Sequence, residues 1–159
     1  MSDITMRGFF HLQMEKDGTI VGDSGWRKNK ITNDGTLNFI TELMASNGGS
    51  SYVSHAALGT GTVPGAAATT LDGEIGSEGH DTRVAVTRGT TGSTQVDYTC
   101  TFASSLITAA TGYNIANIGL FGISQSQVGQ IFAGNTFASS NWATNQNVNM
   151  TYSITVAVA

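Results

Sequence analysis

Past Asp97 the chain has no charged side chain: from Tyr98 to Ala159 there is no Asp, Glu, Lys or Arg. All seven Lys and Arg and all eleven Asp and Glu precede that point. Charged residues make up 11% of the sequence, less than half the share of about 25% in an ordinary soluble domain. A surface so poor in charge has little to hold neighbours apart, and it suits a protein packed against copies of itself or other partners. The same scarcity removes acids and bases from most of the chain. Catalysis needs titratable groups that converge, so an enzymatic role is not expected.

Other absences narrow the reading further. Cys100 is the only cysteine, which excludes an intrachain disulfide and a cysteine-based zinc site. It lies in the alternating run Val96–Phe102 and reads as a small buried apolar residue. No window approaches eighteen uninterrupted apolar residues, so no transmembrane helix is expected. Met1–Thr5 lacks a basic then apolar signal, and cytoplasmic synthesis is expected. A pI near 5.1 argues against nucleic-acid or anionic-membrane partners. Neither a cofactor nor a metal is expected.

What remains is a β pattern. The length of 159 residues points to one domain, and 40% hydrophobic residues allow a core. Twenty glycines and a single proline, Pro64, punctuate short segments. Gly8–Met14 and Thr19–Val21 read as a hairpin around Asp17-Gly18, a pair that tolerates positive φ. Trp26–Asn29 follows as a third strand. Asn33–Thr36 reads as a helix entry, and Leu37, Ile40, Leu43 and Met44 recur at helical spacing over 36–46. Strands are expected at Tyr52–Leu58, from Arg83 onward, at Val96–Phe102, Ile115–Ile123 and Gln130–Phe137, and finally over Val148–Val158. In the last, Val148, Met150, Tyr152, Ile154, Val156 and Val158 share one face. The expected fold is all-β with one short helix: an antiparallel β-sandwich, jelly-roll-like in one plausible form. Residues 1–7 are expected to form an N-terminal arm and 8–159 the single domain.

The candidate chemistry is sparse. His11, His55 and His80 are scattered, and no Gly-x-Ser-x-Gly elbow is present. Gly59-Thr60-Gly61 lacks the Gly-Lys-Ser/Thr ending of a phosphate loop, so its glycines read as turn formers. Asp72, Glu74, Glu78, His80 and Asp81 form an acidic cluster without the ligand spacing of a calcium loop, and read as a solvated loop. Arg27, Lys28 and Lys30 form the one basic cluster, suited to an acidic partner surface and too small for nucleic acid. Trp26 beside them reads as a core or edge anchor. Trp142 sits in a polar stretch without alternating company and reads equally as a partner contact or as packing over a sandwich end. Tyr113, in the Thr111–Asn114 loop, is a weaker case of the same kind.

Two stretches taken together carry a resemblance. Trp26-Arg27-Lys28-Asn29-Lys30-Ile31-Thr32-Asn33-Asp34-Gly35 precedes a helix and then Ala57-Leu58-Gly59-Thr60-Gly61-Thr62. A small-residue loop leads to Leu71 and Glu74 and to a strand from Arg83, with Ile118-Gly119-Leu120-Phe121 and a Thr/Val-rich last strand further on. This order, over about residues 8–158, resembles small virion structural proteins of tailed bacteriophages. The Gly76–Asp81 segment departs from it, standing where a shorter join belongs. The resemblance implies a virion structural protein, and the first expectation within that class is a capsid decoration or cement protein. Such a protein would bind the outside of the major capsid protein shell as a homotrimer, and a tail, baseplate or fibre component is the alternative. No site residue transfers from it. The contact candidates are Arg7, Arg27, Lys28, Lys30, Tyr113 and Trp142. A carbohydrate-binding module using Trp142, Tyr113 and Tyr52, and a hydrolase using His55 or His80, are the readings from other classes.

Overall fold

The structure is a computed structural model that describes residues 4–36, 53–76, 82–122 and 131–158. It is all-β and antiparallel throughout. The ten strands are β1 (Ile4–Lys16), β2 (Thr19–Asp23), β3 (Arg27–Ile31), β4 (His55–Gly59), β5 (Val84–Ala85), β6 (Thr87–Thr91), β7 (Gln95–Phe102), β8 (Tyr113–Phe121), β9 (Ile131–Trp142) and β10 (Asn147–Val158). Asp17 and Gly18 both take positive φ and turn β1 into β2, as the Asp-Gly pair predicts.

The strands form two facing layers. The first runs β3-β1-β10-β7-β6, with β2 also beside β1, and the second runs β5-β4-β8-β9-β3. β3 belongs to both, because Lys28 lies opposite Phe9 of β1 while Lys30 lies opposite Gly134 of β9. At the other edge the chain crosses back. Val84 pairs with Ala56 of β4, Thr87 pairs with Thr99 of β7, and the amide of Val86 between them donates to the Ser54 carbonyl at 2.9 Å. Strands that switch sheets make such corners. The sandwich is therefore joined at both edges into a nearly closed, barrel-like sheet.

Period-two alternation places the core. Phe10, Leu12 and Met14 of β1 meet Val148, Met150, Tyr152 and Ile154 of β10, and both rows face Ala56, Leu58, Ile118 and Leu120 of the second sheet. Each such side chain, fully buried, contributes about 1.5–3 kcal/mol. Cys100 is half-buried against this core, on the side its alternation predicts.

Two expectations change. Residues 4–7 are no arm: β1 begins at Ile4 and pairs with β10 from Val158 downward. The alternation of Ile4, Met6 and Gly8 continues the strand pattern, and the long last strand supplies a full-length partner. The helix entry is capped one residue earlier than expected. Residues 33–36 are helical, and Thr32 Oγ1 accepts the Gly35 amide at 3.0 Å. The rest of the helical repeat lies outside the described residues.

Candidate interaction surface

The loop after β4 folds back over the outer side of the second sheet. Leu71 and Ala68 cover Ala57, Phe121 and Ile131, forming a second small core. The Thr60 amide donates to Gly73 O at 2.9 Å, and Asn117 Nδ2 donates to the carbonyls of Thr62 and Asp72 at 2.9 and 2.8 Å. Gly59 has to be glycine, because a Cβ there would strike the Asn117 side chain and the carbonyls of Asp72 and Gly73. The amide and hydroxyl of Thr62 both donate to Asp72 Oδ2 at 2.8 Å, the amide first among the contacts that hold this carboxyl below its ordinary range. The Gly59–Thr62 turn thus binds the chain's own carboxylate through the amide and hydroxyl of Thr62.

Glu74 corrects the solvated-loop expectation. It is buried, and Arg83 Nε and Nη2 donate to its two oxygens at 2.6 and 2.9 Å. The guanidinium also lies 3.6 Å over the Phe121 ring. Glu78, His80 and Asp81 lie outside the described residues, and no group of three or more metal-ligating side chains occurs among the described ones. A cleft of about 520 Å³ beside this loop is lined by Thr60, Thr82, Ser105 and Thr108 with Glu74 and Tyr113. Glu74 is engaged by Arg83, and the Tyr113 hydroxyl is 2.7 Å from Thr108 Oγ1. His55 Nδ1 is 2.7 Å from the Oγ of its neighbour Ser54, and burial, then the charge of Arg83, hold its pKa below the ordinary value. Each of these three side chains thus has a polar partner among the described residues.

For Trp142 the structure takes the packing reading over the contact one, and it exposes Trp26, which reads from sequence as an anchor. Trp142 is 1% exposed, and its indole N–H donates to Gln146 O at 2.8 Å. Edge-on contact with Phe102 and a tilted contact with Tyr113 complete its cage. A side chain sealed in this way is packing, so Trp142 is not a contact residue. Tyr113, half-buried beside it, stands apart from the basic residues. Trp26 is 56% exposed, with its ring 5.3 Å from that of His11. Both sit among polar neighbours, and what separates them is position: Trp26 leaves the Asp23–Gly25 turn before β3, whereas Trp142 is the last residue of β9.

His11 opens the outer face of the first sheet. Its Nε2 is 2.6 Å from Asp23 Oδ1, Gln13 Nε2 donates to Oδ2 at 3.0 Å, and the Gly25 amide donates to Oδ1 at 2.7 Å. Gln13, then Gly25, then His11 pull the Asp23 carboxyl down to about 2. Register then lays the face out in rows. Asp23, Gln13, Asn149 and Thr101 form one, and His11, Thr151, Thr99 and Thr87 the next. Lys28, Phe9, Ser153 and Asp97 form the third, and Arg7, Thr155, Gln95 and Thr91 the fourth. Burial alone would raise the Asp97 carboxyl, but donation from Ser153, Thr91 and Gln95 prevails and lowers it.

Of the predicted contact residues, this face gathers Arg7 and Lys28, with Lys30 two positions along β3. All three are exposed. Arg27 alternates away from them, opposite Phe10, and its Nε donates to Ser24 O at 3.0 Å. Ile20 and Val21 of β2, both exposed, border the face. Val21 is the extra residue of a bulge between the Ile20–Glu15 and Gly22–Met14 pairs. No helix of the described residues is long and apolar enough to cross a membrane. No family model, no curated protein and no solved structure matches the chain.

Proposed function

We propose that the chain is a structural protein of a tailed-bacteriophage virion, a decoration or cement protein that binds the outside of the major capsid shell and stabilises it. The observation that carries this reading is the outer face of the first sheet. It is a broad polar surface of Thr, Ser, Asn and Gln, with one exposed tryptophan and its cations confined to one end. Such a face is suited to being covered. The mechanism is mechanical: many modest contacts, spread across shell joints, raise the free energy needed to separate shell subunits. The titratable groups fit a non-catalytic role, because Asp23, Glu74, Asp72 and Asp97 are each held by neighbouring donors.

The test uses purified particles and tail-less heads. A decoration protein is found at a copy number that tracks the shell protein, and it rebinds stripped heads lacking tails. Recovery at a few copies, with the tail fraction only, would transfer the reading to a tail, baseplate or fibre component. Absence from every particle fraction would end it.

A further inference from the structure

We infer that the outer face of the first sheet binds a second copy of this chain, face to face, about a twofold axis that crosses β1 at His11. The face is charge-polarised along β1, β2 and β3, and Asp97 of β7 is the one acid on the cationic side. Arg7 and Lys28 lie on one side of the His11 row, and Glu15 and Asp23 lie on the other. At about 3.4 Å per residue, Arg7 and Glu15 stand about 14 Å from His11 in opposite directions. Lys28 is level with Phe9 and Asp23 is level with Gln13, so these two are also evenly placed about His11.

A twofold axis lying in the interface and perpendicular to the strands reverses the direction along β1 and keeps each strand over its own copy. Arg7 then faces Glu15 of the second copy, and Lys28 faces Asp23 of the second copy. Each pair occurs twice by symmetry, as an isologous contact requires. Lys30 falls over the exposed Ile20, where its aliphatic stem packs. Asp97 faces the hydroxyl of Thr101, because Ser153 and Asn149 are likewise level with Phe9 and Gln13. No like charges of this face meet. Trp26, beside His11, comes to the axis and loses its exposure against its own symmetry mate. Packed sheets cross at about 30°, and the long Arg, Lys and Glu side chains absorb that offset.

The area agrees with a reversible pair. Five strand positions about 4.8 Å apart and ten residues of β1 give a face of roughly 20 by 30 Å. That is about 1,200 Å² over both copies, the lower end for a specific interface. The geometry favours a twofold pair over the homotrimer first expected. The cover that the proposed function asks of this face then comes from the second copy, and the pairing leaves Arg27, Val63 and the loop-covered side for a shell. It does not depend on the virion reading and can fail while that reading stands.

The test is sedimentation of the full-length chain over a concentration series, with charge reversals. Arg7→Glu and Glu15→Arg, each alone, are expected to raise the dimer Kd about tenfold or more. The double variant is expected to restore it. In a Cys100→Ser background, His11→Cys is expected to give a covalent dimer with a short bis-maleimide, because the axis holds the two copies of that position one sheet-packing distance, about 10 Å, apart. A chain that stays monomeric at every concentration overturns the inference. So does a dimer indifferent to both reversals, or a double variant no better than either single one. Circular dichroism of each variant confirms the native fold, so that loss of pairing is not loss of structure.

Discussion

Arg83 grips Glu74 through two hydrogen bonds of 2.6 and 2.9 Å, with their side chains 0% and 1% exposed to solvent. The pair joins the end of the loop over the second sheet to the start of β5, and the Phe121 face closes it from the other side. Removing one partner of such a pair leaves a buried charge without compensation, which costs about 3–5 kcal/mol. Glu74→Gln is therefore expected to lower the urea midpoint sharply without changing the slope. Replacing both residues, as Glu74→Leu with Arg83→Met, is expected to recover most of the loss. A Glu74→Gln variant as stable as the parent would show that water reaches the guanidinium.

The two tryptophans make opposite predictions. Trp142→Ala removes a buried indole and a hydrogen bond, and is expected to destabilise by about 3–5 kcal/mol. Trp26→Ala, at concentrations low enough to keep copies apart, is expected to shift stability by no more than about 0.5 kcal/mol. Iodide quenching reports the same contrast. The Trp142→Phe variant should retain strongly quenched emission, and the Trp26→Phe variant a blue-shifted emission that iodide hardly touches. Equal quenching in both variants would contradict the placement.

Strand-level organisation was legible wherever alternation ran long. The face Val148–Ile154 and the run Val96–Phe102 predict β10 and β7 because each inward residue is apolar and each neighbour polar. Phe121 and Ile131 could not be assigned a covering layer from sequence. What covers them is Leu71 and Ala68, brought over by a loop whose own pattern carries no period. That loop also alters the meaning of the missing charge. β8 and β9 lack it partly because their chain packs on both sides, whereas β10, and β7 beyond Asp97, lack it on a face open to solvent. Arg7 was separated from Lys28 by twenty residues, and only the pairing of β1 with β3 makes them neighbours. Glu74 reads as solvated because an acid within an acidic, glycine-rich stretch does not announce that a cation nine residues on will bury it.

Asp23 gives a pH signature. Its carboxyl titrates at about 2 in the folded chain, below the ordinary 3.8, because Gln13, Gly25 and His11 donate to the ionised form. A depressed carboxyl stabilises the fold above the unfolded-state value, and that contribution drains away as pH falls from about 4 through about 2. Thermal unfolding of the parent should lose midpoint across this window more steeply than Asp23→Asn, and the two curves should converge at the acid end. Parallel curves would mean that the three donors do not distinguish the charged form.

Cys100 supplies a probe of the whole β7–β10 contact. Burial pushes its thiol up to about 12, so that at pH 8 only about one molecule in ten thousand carries the reactive thiolate. Its neighbour across the ladder is Met150, itself buried, and the side chain packs against the core. A thiol reagent is therefore expected to label the native chain far more slowly than a free cysteine. The rate should climb with each pH unit through 10 without levelling. Urea past the unfolding midpoint should bring labelling to the speed of an unstructured thiol, because the desolvation that raises the pKa disappears once β7 leaves the sheet. Complete labelling within minutes at pH 7 in buffer would place Cys100 outside the packed layer and would undo the register assigned to β7.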